Sequence, residues 1–274
     1  MTFTSRRYRN ILICAAIAAS LVLLNWLFDM ALRDASFLSG WLLIIGMAFL
    51  TIYNLRKKFP FLPLIPSAYW LQFHVYLGFI VIVLFLLHTS MEFPRGPFEI
   101  TFWLLFFAVA GSGVIGIFIT RNLPGRLQQR HGERLIFERI PVFRADLAEQ
   151  VRELAMKSVT EISSSTIADY YAVRLNPYFA EPRNFSSHLF QSERPLVNLR
   201  REIRSIQRYL NKRGREILDD IEVHVIAKDN LDYPYALQLV LKGWLFVHIP
   251  LTYSLMIFAL MHVVLVYAFA GRTL

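Results

Sequence analysis

The chain has 274 residues, 55% of them hydrophobic and 23 of them Phe, with a mean hydropathy of +0.43, which is too apolar for a soluble globule throughout. Its net charge of +9 comes without a basic-aromatic motif, so it is read as the basic loops of a membrane protein and not as a nucleic-acid surface. The single cysteine, Cys14, excludes an internal disulfide, a Cys-x-x-Cys-His haem attachment and a Cys-ligated iron–sulfur cluster.

Apolar runs of about 20 residues match a hydrocarbon core of roughly 30 Å, and five occur. The first, 11–30, follows Arg6, Arg7 and Arg9. It continues past the length of a signal-peptide core through Leu21-Val-Leu-Leu-Asn-Trp-Leu-Phe28, so it reads as an uncleaved anchor. The second, 37–55, ends at Arg56-Lys57-Lys58, and prolines 60, 63 and 66 then form a stiff connector. The third spans 69–90. A short loop, Met91-Glu-Phe-Pro-Arg-Gly-Pro97, leads to the fourth, 98–120, which contains Gly111-Ser-Gly-Val-Ile-Gly116, small residues that let helices approach closely.

Residues 121–242 change character: charged, mixed in sign, without a spanning run. The β-branched and aromatic content of 134–143 predicts an extended segment, and helical spacing predicts helices over 146–159, 166–179 and 195–218. No dinucleotide fingerprint, phosphate loop or zinc pattern occurs. The fifth run, 244–269, nearly ends the chain. The predicted fold class is an all-α membrane protein: a five-span helical bundle with a mainly helical cytoplasmic domain inserted between spans four and five. Its parts are 1–120, 121–242 and 243–274. The basic flanks (the N-terminus, 56–58, and Arg121, Arg126 and Arg130) alternate with the poorly basic loops at Arg33 and Arg95 and the tail 271–274. That pattern predicts a multi-pass protein of the cytoplasmic (inner) membrane, with the N-terminus and 121–242 in the cytoplasm and the C-terminus outside, on the periplasmic face.

Spans three and five each carry two histidines, His74 with His88 and His248 with His262, both pairs 14 residues apart, and each run opens Trp-Leu-x-x-His. At about 100° per residue, fourteen residues return to within about 40° of the same face, and they rise about 21 Å. Two parallel spans thus make two layers, His74 with His248 and His88 with His262. A lone intramembrane histidine is also read as an interhelical hydrogen-bond partner or a proton relay. Four at one repeated spacing point to a planar haem in each layer, its iron bound by one imidazole from each side, an arrangement suited to electron transfer. Gly78 and Thr252, one turn beyond His74 and His248, leave room beside a macrocycle. Lys57, Lys58, Arg121 and Lys242 border the cytoplasmic layer, and Arg95 the outer one, as candidate propionate partners, although for each of them the topogenic reading of a basic flank is the stronger. His131, His188 and His224 read as ordinary surface or core residues.

The pattern of His74, His88, His248 and His262 on the third and fifth spans resembles the ferric-reductase-like transmembrane domain, a group that includes NADPH oxidases and metalloreductases. The resemblance covers 11–120 and the last span. It implies two stacked b-type haems that carry electrons across the membrane. Departures from that family's pattern are also expected: no sixth span and no flavin or nicotinamide domain is read after the fifth run, and the insert between spans four and five is much longer than a loop. The expected function is therefore a di-haem b-type cytochrome acting within a larger redox chain, in contact with membrane lipid and with a redox partner or subunit at the 121–242 domain. The alternatives are a quinol-oxidising cytochrome b subunit, with a quinone near one haem, and a haem-free membrane scaffold or sensor.

Overall fold

The structure is a computed structural model that describes residues 3–31, 35–58, 66–130, 137–162 and 165–270. In chain order its helices are α1 (Phe3–Met30), α2 (Ala35–Lys58), α3 (Ser67–His88), α4 (Pro97–Arg130) and α5 (Ile140–Ile162). They continue with α6 (Thr166–Tyr170), α7 (Asn176–Ala180), α8 (Phe185–Leu189), α9 (Arg194–Gln207) and α10 (Lys212–Ala270). No strand occurs among the described residues. Two compact units emerge, 1–119 with 244–274, and 120–243.

Five helices, α1 to α4 and α10, are long and apolar enough to cross a membrane. In hydrocarbon each backbone N–H and C=O must be satisfied inside its own segment, which is why every such run is helical. Apolar side chains point outward as well as inward: Leu12, Phe118 and Val264 are each about two-thirds exposed or more (68%, 71% and 66%). Such a surface has lipid as its natural solvent, and the protein is membrane-embedded.

Within this unit α2 packs on α3, and α1 touches both. Close approach is set by small residues. A methyl on Gly46 would stand 2.8 Å from Cγ2 of Val81. Leu43 and Met47 of α2, Val81, Leu84 and Phe85 of α3, Phe106 of α4, and Leu255 and Ala259 of α10 share one core. Phe85 stacks on Phe106 at 3.8 Å between centroids. Between helices already in lipid, the attraction comes from this dense contact and not from escape from water. The end of α3 is closed by a Schellman motif, with Ser90 in the left-handed region (φ 49°), its N–H bonded to Leu87 O and that of Met91 to Leu86 O.

The 120–243 unit has a core of a different kind. Val151 and Ala155 of α5, Leu175, Ile203 of α9, and Leu218 and Ile221 of α10 are all fully buried or nearly so. Each such side chain contributes roughly 1.5–3 kcal/mol of burial in water. On α9 the apolar side chains Leu196, Leu199, Ile203 and Ile206 recur at helical spacing, while Arg194, Arg201, Arg204 and Arg208 face outward. Under this core sits a buried polar group. Lys228 and Asp232, one turn apart on α10, form an ion pair, and the Lys228 ammonium lies 4.2 Å from the centre of the Tyr178 ring. Arg183 donates its backbone N–H to Asp232, and Arg144 stands 3.9 Å from the other Asp232 oxygen. Burial pushes the Lys228 ammonium down from its ordinary value, against the opposing pull of Asp232.

Three local expectations are corrected. Of the strand or extended segment expected over 134–143, the described residues 137–143 form a 3-10 turn at Phe137–Arg139 and the start of α5. Pro141 suits the first turn of a helix, where its missing N–H costs nothing, and the wholly buried Ile140 anchors that turn in a packed interior. The helix expected over 195–218 is two, because Asn211 accepts the Gly214 N–H through its side chain and starts α10 afresh at Lys212. The 166–179 helix contains a π turn at Tyr171–Leu175. That wider turn precedes Pro177, which has no N–H for the carbonyl four residues back. Arg33, Pro60, Pro63, His131, residues 134–136 and the 271–274 tail lie outside the described residues, as do the side chains of Lys57, Lys58, Arg126 and Arg130.

Candidate functional site

Helix α3 carries His74 and His88, and the membrane part of α10 carries His248 and His262. The structure brings them together in two pairs. The rings of His74 and His248 have centroids 6.5 Å apart at an interplanar angle of 73°. Those of His88 and His262 are 6.1 Å apart at 85°. Two imidazoles joined by an in-line N–H···N hydrogen bond of about 2.9 Å would bring their centroids to about 5.1 Å. Two that share one metal atom, at about 2.0 Å per metal–nitrogen bond, stand about 6.3 Å apart. Both pairs fit the second spacing and are too wide for the first.

Hydrogen bonds decide which nitrogen is free. His88 Nδ1 is 2.9 Å from the Ser36 carbonyl oxygen. A carbonyl only accepts, so in this bond Nδ1 carries the proton and Nε2 keeps its lone pair. His248 Nδ1 is 2.7 Å from Ser112 Oγ, and Ser112 Oγ lies 2.8 Å from the Val109 carbonyl oxygen. The one hydroxyl proton goes to Val109, so Ser112 accepts from Nδ1–H of His248, and Nε2 is again free. His74 Nδ1 is buried and has no hydrogen-bond partner, a state that costs energy unless something else satisfies the atom.

The surroundings are aromatic and closely fitted. Tyr53 lies 5.1 Å from the His74 ring, Phe102 5.6 Å from His262, and Trp244 stacks on His248 at 5.3 Å and 24°. Trp244 Nε1–H donates to the Ser112 carbonyl at 2.8 Å. Two glycines hold these positions open. A methyl at Gly116 would come within 2.0 Å of the Trp244 ring, and one at Gly40 within 2.9 Å of His88 Cε1. Beside His74 the reverse holds, because a methyl at Gly78 would meet no atom within 4 Å. Thr252, one turn beyond His248, is nearly buried and spends its hydroxyl on the His248 carbonyl.

Among the described residues no three His, Cys, Asp or Glu side chains converge. Each layer thus brings two imidazoles together, one from α3 and one from α10. The expected propionate partners with described side chains are Arg121, Lys242 and Arg95. Arg121 and Lys242 belong to the 120–243 unit, where Arg121 is exposed and Lys242 pairs with Glu138 at 2.5 Å over the Phe137 ring. Arg95, 88% exposed at its side chain, lies 3.7 Å from Glu92. His188, expected to be ordinary, is buried 3.7 Å from Asp229, beside the Lys228–Asp232 pair on α10. Ser36, Gly40, Ser112 and Gly116 went unrecognised as partners of the histidines and of Trp244, although the small-residue run 111–116 had marked the place of two of them. Compared with protein-family models, with curated proteins and with solved structures, the chain finds no match.

Proposed function

We propose that this membrane-embedded chain is a di-haem b-type cytochrome that carries electrons across the cytoplasmic membrane. His74 and His248 hold one haem and His88 and His262 the other. The observation that carries this reading is the pair of cross-helix imidazole separations, 6.5 and 6.1 Å, repeated at two levels of the same two helices. A haem held by these histidines would supply one-electron chemistry.

The chain's own residues do the rest. Ser36 and Ser112 fix one imidazole of each pair with Nε2 available. Gly40 and Gly116 admit His88 and Trp244 to positions that a side chain would deny them. Phe85 and Phe106 pack the interior near the His88 end and keep water from the path. The two histidine levels are about 21 Å apart along the helix rise. The N-terminus and the 120–243 unit face the cytoplasm, where that unit receives a redox partner.

Proteoliposomes test the function. With ferricyanide sealed inside and a membrane-impermeant reductant outside, wild-type protein should reduce the trapped oxidant, and His74→Ala should stop it. Equal rates in both, or none in vesicles of haem-loaded wild type, would contradict transmembrane electron transfer.

A further inference from the structure

The two histidine layers are held by unlike acceptors. In one layer the Nδ1–H of His88 meets a backbone carbonyl, that of Ser36, which no side-chain substitution removes. In the other the Nδ1–H of His248 meets a side-chain hydroxyl, that of Ser112. Ser112 is itself oriented at two points. Its hydroxyl donates to Val109 O, and its carbonyl accepts from Trp244 Nε1, whose ring lies against His248. Trp244 can reach that place because residue 116 is glycine. The sequence from Val109 to Gly116 thus builds one device around one imidazole.

We propose that Ser112 is a positioning residue that tunes the His74/His248 centre independently of the other; this rests on the di-haem reading above. A hydrogen bond accepted from Nδ1–H makes the imidazole a stronger donor at Nε2, and a stronger donor favours the more highly charged, oxidised metal. The reduction potential of the His74/His248 centre is therefore held down by Ser112. His74, whose Nδ1 has no partner, adds no such pull. Loss of the hydroxyl raises that potential alone. The His88/His262 centre, tied to Ser36 O, does not move.

The test is a redox titration of purified protein, with low-temperature electron paramagnetic resonance of the oxidised centres. The two midpoints are assigned with His74→Ala, which retains only the His88/His262 centre. Ser112→Ala should shift the His74/His248 midpoint upward and change that centre's g values, leaving the other midpoint and the haem count unchanged. Ser112→Thr, which keeps the hydroxyl, should stay near wild type. Selective loss of the His74/His248 haem in Ser112→Ala, with Ser112→Thr intact, would mark Ser112 as a structural prop and overturn its tuning role. The role is overturned if Ser112→Ala leaves both midpoints in place, if both midpoints move together, or if Ser112→Thr behaves like Ser112→Ala. Haem-free wild-type protein overturns the di-haem reading itself, which separates the two failures.

Discussion

A methyl group at residue 40 would stand 2.9 Å from Cε1 and 3.1 Å from Nδ1 of His88. Neither helix backbone can yield cheaply, so Gly40→Ala must turn the imidazole away and break its bond to Ser36 O. The expected outcome is loss of the His88/His262 haem with retention of the other, read as a fall from two haems to one by absorbance and iron analysis. An unchanged spectrum would mean that His88 tolerates displacement and is not a ligand. The histidines themselves were legible because ionisable rings in apolar runs are costly and therefore conspicuous. Their partners were not. Ser36 acts through its backbone carbonyl, which every residue possesses, and Ser112 lies 136 positions from the ring it holds. Gly40 and Gly116 matter only because of what a different helix places against them.

Helices, too, were legible where one force dominates. Five apolar runs can only be helices in lipid, and their centres agree with the structure even though α10 extends back to Lys212, well before its apolar part. In the 120–243 unit several weak preferences compete, and the residue pattern is less decisive there. The apolar, β-branched stretch around Ile140 serves a buried helix start as well as a strand, and one side-chain cap at Asn211 divides an otherwise continuous pattern. The polar group beneath α10 was also illegible, since Lys228 and Asp232 at a four-residue spacing resemble any solvated pair. Their burial has a consequence at this scale. Asp232→Leu leaves Lys228 and Arg144 without their shared carboxylate, and breaking a buried pair costs about 3–5 kcal/mol. Amide exchange across 217–225 in the full-length chain should accelerate by roughly a hundredfold or more. Exchange within a factor of a few of wild type would show that water already reaches the pair.

At the scale of the whole molecule the proposed path for electrons has a direction, and that direction depends on sidedness. On the topology proposed above, the N-terminus and the 120–243 unit lie in the cytoplasm, which would put the His74/His248 pair nearer that side and the His88/His262 pair nearer the outside. In a Cys14→Ser background, Gly271→Cys should react with an impermeant maleimide in intact cells, and Ser5→Cys only after permeabilisation. The opposite result inverts the direction in which a cytoplasmic donor could feed the chain. Sidedness, however, concerns only the direction of the wire. Its existence is tested by haem content per chain, measured on purified wild type and on the four single His→Ala variants. Two haems in wild type are expected, with one remaining in every variant. The spectrum left by His74→Ala should match that left by His248→Ala, and His88→Ala should match His262→Ala. Wild-type protein that binds no haem, or a His74→Ala spectrum that matches that of His262→Ala, would contradict it.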